Sequence, residues 1–417
     1  MDFYGYMRPN GKAGARNYVL LLPVNRSLNF IASNVERMTR NTHHFEIPAE
    51  TGRTEVDREV IARTLIGLMN NANVGGIVLL AVKSGAGSAY KNMCAERFEE
   101  EARKTGKPFR IVYLTNVGGS YNMLGETLRL TREVLLEVSD FRRENCPLSA
   151  LTLGVKCGTS DATSGIAGNP CVGAAFDQLI RAGGTAFFSE TTEIIGAEDL
   201  VAKRAVNESV AKKILSAARH WEDKAKATGE DIRKINPIPA NIAAGISSLE
   251  EKSLGAIAKS GTSPIQDVLK YAEMPKGSGL YFVDSWMSSL SLPLCLTACG
   301  ATIMLYQMGG GKIAQHPMMP SINPTVVSPF LYLTGNAIAY SRAPDNFDFD
   351  ASPIMTEGAS IPEMGTKLLE HLSAIASGTM TKMETLNYAE QLELYMEGLH
   401  SPEYIKLKTQ LHIRAKL

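Results

Sequence analysis

The chain has 417 residues, enough for two or three domains, and its 44% hydrophobic content is ordinary for a globular protein. Its 43 Lys plus Arg balance 43 Asp plus Glu, so no basic surplus exists to hold a phosphate backbone, and nucleic acid is not an expected partner. No apolar run is long enough to span a membrane, the opening residues lack a signal-peptide core, and the 6 cysteines contain no C-x-x-C pair, which points to a reducing cytoplasm without a zinc ribbon.

Strand–helix alternation organises the first third. The pattern predicts strands over 18–24, 44–47, 76–82 and 109–114, interleaved with helices over 28–40, 55–70, 90–105 and 121–138. Alternation of this kind implies a parallel sheet with helices on both faces. His43 and His44 sit side by side, and strand neighbours point to opposite faces, so they are poorly placed to chelate one ion together, although either could serve as a base. Residues 141–147 read as a linker, after which strands over 150–156 and 185–189 enclose a helix over 170–182. Helices to about 226, a helix over 249–259, strands over 280–284 and 301–306, and a helix over 361–376 follow. The expected fold class is α/β: two parallel-sheet domains, flavodoxin-like or Rossmann-like, over 1–145 and 146–390, a tail over 391–417, and a site in the cleft between the domains.

Two polar clusters carry the chemistry. Cys157-Gly158-Thr159-Ser160-Asp161 follows the apolar run 151–155, with Gly168-Asn169-Pro170 close behind. Ser189-Glu190-Thr191-Thr192-Glu193 follows the apolar run 185–188. Strands that end in a thiol and in carboxylates are how an open α/β sheet builds a small-molecule site; glycine turns that merely cap strands are the bland alternative. Cys157 beside Lys156 is the only cysteine singled out for a metal or reactive role, with an ordinary packed thiol as the alternative. Cys295 and Cys299, in an apolar stretch, read as buried structural thiols.

Further along, Asn241 precedes Ser248-Leu249-Glu250-Glu251-Lys252, where Ser248 and Glu251 fit a helix-capping box. Lys252, one turn before Ala256, could hold a substrate carboxylate or act as a base, and Gly255 suggests close packing or ligand approach. Gly309-Gly310-Gly311-Lys312 lacks the spacing of a nucleotide phosphate loop, though a lysine behind a glycine turn could meet a carboxylate.

Taken in order, these motifs resemble the altronate and galactarate dehydratase family over nearly the whole chain. The likeness runs from Gly5-Tyr6, Arg8, Gly11, Gly14 and Arg16-Asn17 through the two clusters, then Asn169-Pro170, Gly196-Ala197-Glu198 and Glu251-Lys252-Ser253-Leu254-Gly255-Ala256. It closes at Asp348, Asp350, Ala376-Ser377-Gly378 and Thr381-Lys382. The large subunit of sulfolactate sulfo-lyase shares this set. The resemblance implies a hydro-lyase for sugar acids or other 2-hydroxy carboxylic acids: α-proton abstraction, β-elimination, a 2-keto acid product, and a divalent metal such as Fe2+. With the residue readings above, the candidate catalytic residues are Glu190, Glu193, Lys252 and Asp161, the candidate substrate-binding residues Arg16, Asn17, Ser160, Asn169, Asn241 and Lys312, and the candidate metal ligand Cys157. Glu190, Glu193, Asp161, Lys252 and Arg16 are expected to converge on one cleft between the two domains, with a buried ion-pair network as the alternative role for Lys252 and the glutamates.

Departures from the family pattern bear on these expectations. Family members carry Asn-Cys-Ser where this chain has Asn25-Arg26-Ser27, Gly-Cys-Glu where it has Ser84-Gly85-Ala86-Gly87, and Thr-Gly-Arg-Gly where it has Met308-Gly309-Gly310-Gly311-Lys312. Either the substrate is unusual or metal use has changed; a catalytically inactive anion-binding homologue and a sulfo-lyase are the rival readings. The family's small β-rich domain has no residues before Gly5, so a separate small subunit is expected as partner, with a self-sufficient homo-oligomer as the alternative.

Overall fold

The computed structural model describes all residues except 49, 52, 84–89, 311–322, 387–388, 390, 392 and 399–417. Two short strands open the chain, β1 (Asp2–Met7) and β2 (Ala13–Gly14), and four follow: β3 (Tyr18–Pro23), β4 (Thr42–His44), β5 (Val74–Ala81) and β6 (Phe109–Tyr113). Next come β7 (Glu144–Pro147), β8 (Thr152–Cys157), β9 (Thr185–Phe188), β10 (Ile265–Leu269) and β11 (Gly279–Val283). The last are β12 (Ile303–Met308), β13 (Phe330–Thr334) and β14 (Phe349–Asp350).

Both large sheets are parallel throughout, as the alternation implied. One has the order β4-β3-β5-β6, the other β10-β11-β9-β8-β12-β13-β14. Period two sorts their side chains. Leu20 and Leu22 of β3 join a core that also holds Met304, Tyr306 and Met308 of β12, whereas Val19 and Leu21 face helices Asn29–Met38 and Ser120–Ser139. Ile303 and Leu305 point the other way, into a core under helices Asn169–Arg181 and Ile361–Ala376. One continuous apolar core therefore joins the two sheets.

The expected linker is in part a strand. β7 pairs antiparallel with β1, and β1 pairs with β2, so a small third sheet ties the chain's opening residues to the entry of the second sheet. The expected 44–47 strand sits earlier, at β4. Helix Ser291–Cys299, with Cys295 and Cys299 fully buried, packs on helix Glu55–Asn70; a Cβ on Gly67 would lie 2.1 Å from the Ala298 carbonyl oxygen. All six cysteines are free. Among the described residues no helix is long and apolar enough to cross a membrane.

Candidate active site

The chain runs from β8 to β9 on one side and later returns as β12 on the other, so the strand order reverses beside β8. Crevices at the carboxyl ends of strands around such a reversal are where open parallel sheets bind ligands. β8 ends there at Cys157. β9 is followed by Ser189, whose hydroxyl donates to the Val283 carbonyl at 2.6 Å, and by Glu190 with φ 75°. A left-handed backbone is uncommon for any residue but glycine, and such outliers gather at functional sites. This conformation brings the Glu190 carboxylate back to β8, where Oε2 accepts the Cys157 N–H at 2.8 Å.

Helix Leu249–Ile257 supplies the opposite wall. The Ser248 hydroxyl accepts the Glu251 N–H at 3.2 Å, half of the expected box, while the Glu251 carboxylate turns to the Ser247 N–H at 2.7 Å. Gly255 serves close packing: a Cβ there would sit 3.2 Å from Gly165 Cα, and its carbonyl accepts from Asn169 Nδ2 at 2.9 Å. Lys252 points inward, and Lys259, seven residues on and two turns along, shares its face.

Three ammonium groups meet two carboxylates. Lys259 Nζ bonds Glu190 Oε2 and lies 3.4 Å from Glu193 Oε2. Lys252 Nζ is 3.2 Å from Glu193 Oε1, and Lys156 Nζ is 3.2 Å from Glu190 Oε1. Lys156 also bonds the Cys157 carbonyl, and Lys252 donates to Asn236 Oδ1 at 2.6 Å and Asn241 Oδ1 at 3.2 Å. All five charged groups are buried, Glu190 completely. Burial alone would push the Glu193 carboxyl up, but Lys252, Lys259 and Lys156 hold it at about 2. Burial would strip the protons from Lys156 and Lys259; their neighbouring anions instead raise both above the usual lysine range. By formal charge, three lysines against two glutamates leave one positive charge in excess.

Cys157 Sγ and oxygens of Glu190 and Glu193 lie within 4.8 Å of one another, a buried group of ligand types that could hold a metal ion. The electrostatics of this arrangement oppose one. Every carboxylate oxygen already faces an ammonium group, and burial pushes the Cys157 thiol up to about 12, where it donates to Asn169 Oδ1 at 3.2 Å instead of presenting a thiolate. Two unit charges 4 Å apart repel by about 4 kcal/mol at an effective dielectric of 20, and a divalent ion would double that for each ammonium it met. As placed, the residues do not fit a resident divalent metal.

Of the residues singled out from sequence, Glu190, Glu193, Lys252, Cys157, Asn169 and Asn241 come together, and Ser160 joins through its carbonyl, which accepts from Asn241 Nδ2 at 2.9 Å. The amides of Asn169 and Asn241 are spent on protein partners, which makes them orienting groups in this arrangement. Asp161 lies on the loop after β8, accepting from Thr163 Oγ1 at 2.6 Å, the Ser164 N–H at 3.2 Å and Asn336 Nδ2 at 3.0 Å.

Arg16 corrects the single-cleft expectation, and its neighbour Asn17 lies with it. All five Arg16 donor positions are engaged, on Glu384 twice and on the carbonyls of Ala15, Ile375 and Thr379. Asn17 accepts from Arg8 and donates to Val138. Both line a different cavity, of about 680 Å3, shared with Tyr18, Glu36 and His43. Lys312 and Ser84-Gly85-Ala86-Gly87 lie outside the described residues. His43 and His44 also surprise: both Nδ1 atoms reach one carboxylate, that of Glu36, His43 at 3.2 Å.

Lys259 and Lys156 are the central groups that sequence reasoning passed over. The seven-residue spacing of Lys252 and Lys259 on one helical face was the available signal.

Residues 5–139 match the model of the D-galactarate dehydratase/altronate hydrolase second domain, and residues 148–398 that of the D-galactarate/altronate dehydratase C-terminal region. The chain is 32% identical over 394 residues to (2R)-sulfolactate sulfo-lyase subunit beta of Chromohalobacter salexigens, covering 93% of this chain and 96% of that one. It is 29% identical over 407 residues to altronate dehydratase of Bacillus subtilis, covering 95% of this chain and 78% of that one. Against galactarate dehydratase (L-threo-forming) of Escherichia coli it is 30% identical over 403 residues, covering 90% and 73%.

Proposed function

This chain is an enzyme of the D-galactarate/altronate dehydratase family, and we propose that it is a lyase acting on a sugar acid or another 2-hydroxy carboxylic acid through its buried lysine–glutamate cluster. The observation that carries this reading is the excess positive charge at the carboxyl ends of β8 and β9. A substrate carboxylate neutralises that charge, and the enediolate formed next, with a second negative charge, is stabilised more than the ground state.

In this reading Glu190 takes the C2 proton. The electron pair moves into the enediolate, held by Lys252 and Lys156. The C3–O bond then breaks as the Lys259 ammonium protonates the departing hydroxyl, giving water and an enol that tautomerises to the 2-keto acid. Glu193, with its low proton affinity, keeps the lysines charged and in place. Asn241 and Asn169 orient Lys252 and the Cys157 loop, while Asp161 and Ser160 shape the turn beside them. A divalent ion, Fe2+ included, would enter only by displacing ammonium groups from Glu190 and Glu193, and no step here needs it.

The sulfo-lyase reading has a specific observation behind it, since the relative covered over 96% of its length is a sulfo-lyase subunit. There the C3–S bond would break and sulfite would leave with the electron pair. That relative's name, a subunit beta, also supports a separate partner subunit, and six free cysteines fit a cytoplasmic setting. The domain division near residue 145 is part of the same proposal.

Aldonates, aldarates and 3-sulfolactate, assayed for 2-keto acid and sulfite, test the reading. Turnover of a sugar acid to 2-keto acid without sulfite supports the dehydratase, sulfite release supports the sulfo-lyase, and binding without turnover throughout would point to an inactive homologue.

A further inference from the structure

The geometry points to Lys156, Lys252 and Lys259 as standing where a divalent ion would stand on Glu190 and Glu193, so that this cluster takes a carboxylate- or sulfonate-bearing anion and refuses a divalent cation. Glu190 gives Oε2 to Lys259 and to the Cys157 N–H, while its Oε1, which accepts no hydrogen bond, lies 3.2 Å from Lys156 Nζ; Glu193 faces Lys252 with Oε1 and Lys259 with Oε2. Lys259 bridges the two carboxylates, which is the geometric task of a bridging metal. Its ammonium is the right size and charge for a carboxylate pair, and a dication added beside it would find like charge on every side.

One positive charge is left over, and burial makes an unmatched charge costly, so an anion is the species that completes the cluster. Lys252 and Lys156 keep 7% and 5% of their surface exposed, against 1% for Lys259 and 0% for Glu190, which makes them the ammonium groups an entering anion meets first. The ligand class rests on the lyase reading only for the choice of probe, since a carboxylate and a sulfonate share the chemistry that three ammonium groups recognise.

The test reads binding and not turnover, so its outcome is separable from the failure of the lyase reading. Anaerobically purified full-length protein is titrated with Mn2+ and followed by electron paramagnetic resonance, alongside Cys157→Ala and Glu193→Gln. In parallel, the thermal midpoint is measured with tartronate or 3-sulfolactate against chloride at equal ionic strength. The wild type should leave Mn2+ free, or hold an ion that both substitutions leave in place, which locates it outside the cluster. Either anion should raise the midpoint, and Lys259→Met should abolish the rise. Stoichiometric Mn2+ that is lost in Cys157→Ala or Glu193→Gln would overturn the proposal, as would a midpoint indifferent to both anions in the wild type.

Discussion

Lys259 is the residue on which the cluster turns, because it alone of the three lysines contacts both carboxylates. Removing one partner of a buried ion pair leaves the other uncompensated, at a cost of about 3–5 kcal/mol. Lys259→Met should therefore lower the unfolding free energy by about that much, read as a fall in urea midpoint at unchanged slope. Glu193 sets the pH dependence. Its folded value near 2 lies below its ordinary 4.5, so its share of stability is fully present above 4.5 and is lost as pH falls towards 2. Urea midpoints measured down this range should drop more steeply in the wild type than in Glu193→Gln, and parallel curves would remove Glu193 as the source. The glutamates, Lys252 and Cys157 were legible because each follows an apolar run or opens a capped helix. Lys259 was not, since a lysine at the end of a predicted helix carries no mark of burial until the partner strands are placed. Arg16 misled for a related reason: a motif arginine looks the same in sequence whether it binds substrate or chain.

At the scale of elements, glycines set how closely the walls of the site approach. Gly173 lies on the helix that starts at Asn169, and a Cβ there would be 2.2 Å from the Ala258 carbonyl oxygen, one residue before Lys259. Overpacking of this kind costs about 1–3 kcal/mol, so Gly173→Ala should be destabilising by calorimetry. It should also impair ligand-induced stabilisation by moving Lys259, whereas Gly125→Ala, with open space around it, should do neither. Strands with side chains shared between two cores and helices with one apolar face were readable from periodicity. Helix Ser291–Cys299 was not, because it is buried on all sides and loses the alternation that reveals a helix. β7 was hidden too: Glu-Asn-Cys-Pro has no strand pattern of its own and pairs only because β1, at the opening of the chain, supplies a partner.

The whole molecule joins its opening and closing segments through few but well-built ties. Arg16 spends all its donors on the 375–384 region and on Ala15, and Arg143 bonds the carbonyls of Tyr4, Ala15 and Ala376. Arg16→Ala should cost about 3 kcal/mol and expose the segment after Ala376 to proteolysis while leaving the Lys259 cluster intact; unchanged cleavage would show that the tie is dispensable. The central claim, that the buried lysine–glutamate cluster performs the elimination, is tested most directly by one rate comparison. On whichever acid of the panel the wild type turns over, 2-keto acid formation is measured for the wild type and for Glu190→Gln shown by circular dichroism to be folded. Loss of a general base lowers the rate by about 100-fold or more, and that is the expected result. A folded Glu190→Gln variant with the wild-type rate would contradict the account.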